Sequence, residues 1–258
     1  MFIDSHTHLY SKDFEADFQE VMEQILRSDV RLMVIPGVDV HSIEPIQKLC
    51  ETYPQYCFPA IGLHPTEVKS DFGEQLQTIR QHLNRSHYYA IGETGLDYYW
   101  DTTFKAEQIK AFRAQIDFAI EFQRPLIVHS RDAFEDTLSI LSEYKEHAIS
   151  GVIHCFSGTV EQAQKAVQSG FYLGIGGGVT FKNSKLPDVV ANIDLQHLLL
   201  ETDAPFIAPH PYRGTRNDSR YIPLIAQRIA DIKHVSIDIV AEQTTQNALQ
   251  LFNLPQPI

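Results

Sequence analysis

Eight short, largely apolar runs, separated for the most part by segments with helical periodicity, constrain the fold of this chain more than any other feature. They lie at 2–9 (FIDSHTHL), 31–38 (RLMVIPGV), 57–64 (CFPAIGLH), 88–96 (YYAIGETGL), 124–131 (RPLIVHSR), 149–156 (ISGVIHCF), 171–178 (FYLGIGGG) and 197–204 (HLLLETDA). Most are nearly continuous in apolar residues, the pattern of parallel strands covered on both faces. Helical patterns fit 13–28, 41–52, 71–86, 104–122, 132–146, 160–169 and 219–232. The clearest is 104–122, where Phe104, Phe112, Ile116 and Ile120 form a stripe extended by Ile109 and Ala119. A last helix is expected to start at Ser236, a good N-cap residue. With no linker or low-complexity tract between them, these elements predict one (β/α)8 TIM barrel over residues 1–258. A doubly wound open sheet is the alternative.

The composition sets the boundaries of function. Hydrophobic residues make up 43% of the chain, too many for an intrinsically disordered protein. The 33 acidic against 21 basic side chains leave a net charge of −12, which argues against coating nucleic acid through a broad basic surface but leaves room for a local anion site. Cys50, Cys57 and Cys155 are too few for a disulfide framework. The N-terminal MFIDSHTHLY has no basic start followed by an apolar stretch, and no run approaches the length of a bilayer span. A cytoplasmic protein is expected, with no membrane or protein partner and no need to be more than a monomer.

In a (β/α)8 barrel the reactive groups collect at the C-terminal ends of the strands. The first run carries His6 and His8, which strand alternation places on one face. The fourth carries Glu93 between Gly92 and Gly95, where close backbone approach is possible; the fifth ends in His129, the sixth has His154 and the eighth Asp203. A single histidine in an apolar run is ordinarily a packed core residue. Four imidazoles and two carboxylates converging on one rim are another matter, since barrel interiors favour Val, Ile and Leu and each buried polar group needs a partner. Imidazole with carboxylate suits zinc, manganese, iron or magnesium, and six ligands suit two ions bridged by a carboxylate.

These residues sit in motifs that carry a resemblance over the whole length: DSHTHL at 4–9, IGLHP at 61–65, IGETGLDYY at 91–99, PLIVHSRDA at 125–133, GVIHCFSG at 151–158, GGGVTF at 176–181, LLLETDAP at 198–205 and RGTRND at 213–218. The chain resembles the TatD-like deoxyribonucleases, whose TIM barrels are of the metallo-dependent hydrolase type. The resemblance implies a (β/α)8 barrel whose metal ligands are His6, His8, Glu93, His129, His154 and Asp203, with Glu93 between two divalent ions (Mg, Mn or Zn) and with Glu93 and Asp203 as the catalytic carboxylates. It also implies a 3′-to-5′ exonuclease acting on single-stranded DNA ends. Thr94 and the pair Asp218-Ser219 depart from the family's usual residues. Rival readings are a sister metallohydrolase of amides, lactones or esters, an aminoacyl-tRNA ester deacylase, and a non-catalytic metal-binding scaffold.

The remaining candidates concern the substrate. His64 is read as a substrate or phosphate contact, against a structural loop histidine. Arg131 shares the parity of His129, and so is expected to reach a phosphate or to pair with Glu201. Glu201, deeper than Asp203 on the same face, is expected to orient a ligand. Arg213 and Arg216, with Arg220 beside them, form the cationic stretch expected to hold phosphate oxygens, and the Gly176–Gly178 run can approach an anion. Tyr98, Tyr99, Trp100 and Phe104 are candidates for stacking on an unpaired base. Two bound divalent ions would bring −12 to about −8, so affinity is expected to be local, at strand termini.

Overall fold

The computed structural model of the chain describes residues 1–256. Its strands are β1 (Phe2–Asp4), β2 (Val30–Ile35), β3 (Cys57–Ile61), β4 (Ala90–Asp97), β5 (Leu126–Arg131), β6 (Gly151–Ile153), β7 (Phe171–Ile175) and β8 (Leu198–Leu200). They pair in sequence order, every neighbour parallel. Around them run α1 (Phe18–Arg27), α2 (Ile43–Thr52), α3 (Phe72–Leu83), α4 (Lys105–Phe122), α5 (Phe134–Glu143), α6 (Val160–Gln168), α7 (Leu186–Asn192), α8 (Ile222–Lys233) and α9 (Ile237–Phe252).

Closure of the barrel excludes the open-sheet alternative. The segment after β1 meets the segment after β8: Ser5 N–H donates to Leu200 O at 2.9 Å, Asp203 N–H to His6 O at 2.9 Å and His8 N–H to Ala204 O at 2.8 Å. The seam therefore carries three of the expected ligands. Inside the barrel, Ile3, Val34, Phe58, Ala90, Ile127, Val152 and Leu199 form one buried cluster with Phe252 of α9. Strand alternation then carries the inward face upward, from Ile127 to His129, from Val152 to His154, and from Leu199 through Glu201 to Asp203. In β4 the parity changes. The pairing register with β5 shifts between Ile91 and Thr94, and this irregularity turns Glu93 to the axis although Ile91 packs outward.

The stripe on α4 is buried at Phe112, Ile116 and Ala119, and Ser236 caps α9 by accepting a hydrogen bond from Ile239 N–H. Several boundaries differ from the sequence reading. The regular strands stop earlier, so His6, His8, His64, His154 and Asp203 lie just beyond them. The stretch at 13–28 starts as a 3-10 turn before α1, and that at 219–232 as another before α8. Helix α7 had no counterpart in the sequence reading. Its seven residues, with Pro187 in the first turn, are too short to display an apolar period. Among the described residues no helix is long and apolar enough to cross a membrane.

Candidate active site

Glu93 is the centre of the site, and its two oxygens face two adjoining nests, which meet where the rings of His6 and His154 stack at 4.1 Å. Glu93 Oε2 lies 3.1 Å from His6 Nε2 and 3.5 Å from His8 Nε2, and both nitrogens lie 3.5 Å from Asp203 Oδ1. Glu93 Oε1 lies 2.8 Å from His154 Nε2, 3.2 Å from His129 Nδ1 and 3.1 Å from His64 Nε2. All six ligands expected from the sequence thus converge. His64, expected to touch substrate, stands beside them as the third imidazole of the second nest. The chain after β8 turns sharply through Asp203, whose φ of 53° lies in the left-handed region that Asp tolerates better than most residues.

The donor set fits divalent cations. Two ligands on metal–nitrogen bonds of about 2.05 Å at a tetrahedral angle sit roughly 3.3 Å apart, and the separations here run from 2.8 to 3.5 Å. Charge points the same way. Burial works to raise Glu93, yet His154, His64 and His6 hold it well below the usual carboxylate range. Asp203 is lowered against its own desolvation by a hydrogen bond with His8. Burial opposes charge on His154 too, but Glu93 outweighs it and pushes the imidazole up to about 9. By contrast, burial and the neighbouring His154 bring His6 down to about 4. Two ionised carboxylates among five imidazoles favour positive charge in the pocket, either protons on His8, His129 and His154, all shifted up, or cations that displace them.

A surrounding set of groups orients these side chains. His129 Nε2 is 2.8 Å from Asp97 Oδ2, which leaves Nδ1 for the nest. His8 Nδ1 is 3.2 Å from the Tyr10 hydroxyl, which leaves Nε2 free in the same way. Asp4 accepts from the Thr202 hydroxyl at 2.6 Å and from its N–H at 3.0 Å, tying β1 to the β8 end. Glu201 is wholly buried, takes the Cys155 N–H, and stands 3.9 Å from His154 Nδ1 on the side away from Glu93. Asp97 was not singled out from the sequence, although it shares the parity of Glu93 on β4. Replacing Asp97 with Asn should lower metal affinity and turnover by about 10- to 100-fold, since the ring of His129 loses its anionic anchor. Metal titration together with initial rates checks this, and a variant with unchanged affinity would leave Asp97 as a loop residue only; its other oxygen holds the Tyr99 and Trp100 N–H groups.

The expected phosphate contacts divide. Arg131 does not turn inward and forms no pair with Glu201. It sits at the last position of β5, outside the barrel's grip, with its guanidinium 3.7 Å from the Tyr99 ring centre and 5.3 Å from that of Trp100. Arg216 is committed to Asp17 through a two-pronged ion pair at 2.8 and 2.6 Å. Arg220 is held by Asp218, which also caps the 3-10 turn before α8. Only Arg213 of these borders a cleft that also contains Asp203. Tyr99 and Trp100 are exposed, as are Phe206, Ile207 and Tyr212 after β8.

Residues 3–253 match the TatD related DNase family. The chain belongs to that family. It is similar to an uncharacterized metal-dependent hydrolase of Bacillus subtilis, 40% identical over 255 residues that cover 98% of this chain and 100% of the relative. A 3′-5′ ssDNA/RNA exonuclease TatD of Pantoea ananatis is 31% identical, covering 97% of this chain and 99% of its own. Among solved structures, the TatD homolog YjjV of Escherichia coli superposes with a TM-score of 0.92 at 29% identity, over 98% of each chain. This TatD-family member is a metal-dependent hydrolase.

Proposed function

We propose that this TatD-family hydrolase cleaves phosphodiester bonds at the ends of single-stranded DNA, working from 3′ to 5′, with two divalent ions in the nests on either side of Glu93. The observation that carries the reading is the opening of the nests: Asp203 belongs to the first nest and at the same time lines a cleft with Arg213. A neutral amide or lactone has no use for that guanidinium. The Pantoea relative named as an exonuclease of single strands supports the same substrate.

Bound divalent ions would supply Lewis acidity and a water of lowered pKa, the usual contributions of such sites. The chain's own residues do the rest. His6, His8, His64, His129 and His154 hold fixed positions around Glu93, so little reorganisation accompanies the reaction. The Asp203 carboxylate, between the first nest and the cleft, accepts the proton released as phosphorus is attacked. Arg213 holds a phosphate oxygen that does not react. The exposed Tyr99 and Trp100, with Arg131 stacked on them, offer flat faces to an unpaired base.

The test is digestion of end-labelled single-stranded, duplex and abasic DNA, with tRNA and a small chromogenic ester as controls. Chelated protein is reconstituted in turn with Mg, Mn and Zn. Single strands should shorten from the 3′ end, and chelation should stop turnover. Rapid ester hydrolysis with every oligonucleotide left intact would overturn the reading.

A further inference from the structure

The rim of the site is electrostatically lopsided. On the β5 and β6 side lies a cleft of about 500 Å³ lined by Asp132, Glu135 and Asp136. Its one cation, Lys105, is already paired with Asp136 at 3.2 Å and lies over the Tyr98 ring. A phosphate backbone gains nothing there and meets like charge. On the β7 and β8 side lies a cleft of about 450 Å³ that includes Asp203 and has three cations on its walls: Lys182, Lys185 and Arg213. Among the described residues none of the three has a carboxylate within 4 Å.

That distribution is unusual in a chain with a net charge of −12. Elsewhere at this end the arginines are engaged: Arg216 with Asp17, Arg220 with Asp218, Arg131 on its aromatic pair. Among the described residues, three cations without a carboxylate partner thus share a cleft with Asp203. Local structure keeps them there. Lys182 and Lys185 flank Asn183 and Ser184 in the loop that leads into α7, and the Ser184 hydroxyl accepts the Leu186 N–H at 3.1 Å. The Arg213 guanidinium lies 4.6 Å from the ring centre of Phe181, which joins the loop after β8 to the loop after β7.

We propose that the loop before α7 is the track of the substrate strand beyond the nucleotide being cut, with Lys182 and Lys185 holding successive backbone phosphates of a single-stranded polynucleotide. The inference rests on the function proposed above and adds a requirement for length. A dinucleotide or a chromogenic ester ends before the lysines, whereas a longer strand reaches them.

The experiment compares the metal-loaded wild type with a Lys182→Ala/Lys185→Ala double variant. A Lys48→Ala/Lys110→Ala variant, altered at exposed lysines of α2 and α4, controls for the loss of two charges. The expected result is a KM for a long single strand raised about tenfold, with dinucleotide and ester kinetics unchanged, as for a lost backbone contact. The plot of log affinity against log salt should flatten by about 1.4, at roughly 0.7 for each lost contact to a single strand. Arginine at both positions should restore both quantities. If the wild type shortens long strands and the double variant matches it in KM and in salt slope, the track is wrong. An equal loss on the dinucleotide also overturns it. If the wild type cuts no oligonucleotide of any length, the functional proposal itself fails, and that outcome is distinct from the other two.

Discussion

Glu93→Gln should lower turnover on the order of 10³-fold while leaving the barrel folded, the scale expected when a central charged group is removed from a preorganised site. The reason is geometric. Each oxygen of Glu93 serves a different nest, so one substitution removes anionic charge from both. The amide is the same size as the carboxyl and can still take hydrogen bonds, so packing around β4 is preserved. Its nitrogen, however, would face imidazole nitrogens at about the distances recorded for Oε1 or Oε2, and neither orientation of the amide suits both nests. Bound metal should therefore fall well below the wild-type content. Asp203→Asn makes the contrast, because Asp203 touches only His6 and His8. That variant should keep the ion held by His64, His129, His154 and Glu93 and still lose most turnover through its own role in proton transfer. Metal analysis beside single-turnover rates separates the two. Near wild-type turnover in both variants with full metal content would sink the assignment of both residues.

The convergence of His6, His8, Glu93, His129, His154 and Asp203 was legible in the sequence for a reason the structure makes plain. A (β/α)8 barrel places its strand ends on one ring, so histidines and carboxylates far apart in sequence can be grouped before any contact is known. Local periodicity was a less complete guide. The alternation argument holds for His129 and His154, which follow the inward Ile127 and Val152. His6 and His8 arrive differently, on an extended segment past the end of β1 that is hydrogen-bonded to the residues after β8. Glu93 faces inward only because of the register shift in β4, which no two-residue period reveals.

The arginines show the opposite situation. Arg216 reads as a free cation in RGTRND, yet its partner is Asp17, 199 positions away. Nothing local in either segment announces the pair. Arg131 has the parity of an inward residue but sits where the strand ends, and the neighbouring aromatic faces decide its direction. Long polar side chains at a rim are placed by partners that folding brings together, whereas ligands within a barrel are placed by the backbone. His64 lies between these cases, because its strand end pointed to the rim while only the fold brings its Nε2 within 3.1 Å of Glu93.

Gly95→Ala should be among the most damaging single substitutions in the chain, although it removes no atom and changes no charge. Gly95 has φ of 131°, a conformation that L side chains rarely adopt, and a Cβ there would lie 2.0 Å from the carbonyl oxygen of His129. Neither problem relaxes cheaply. The obstacle is backbone, not the end of a flexible side chain, and Gly95 is paired with His129 in the parallel ladder between β4 and β5. A strained backbone conformation costs about 1–3 kcal/mol and forced overpacking about as much again, so a loss of roughly 2–6 kcal/mol is expected. At about 2–4 °C per kcal/mol for a domain of this size, Tm should fall by roughly 10 °C. Moving the His129 carbonyl also moves the imidazole on the same residue, so metal affinity should fall with stability. The adjacent residue predicts the reverse sign. Thr94 is fully buried and its hydroxyl has no hydrogen-bond partner, so Thr94→Val removes an unsatisfied polar group at nearly constant volume and should raise Tm slightly. Paired thermal melts of the two variants test whether backbone spacing in β4 sets the position of His129. A Gly95→Ala protein that melts with the wild type and retains its metal would show that this spacing is not what holds the second nest together.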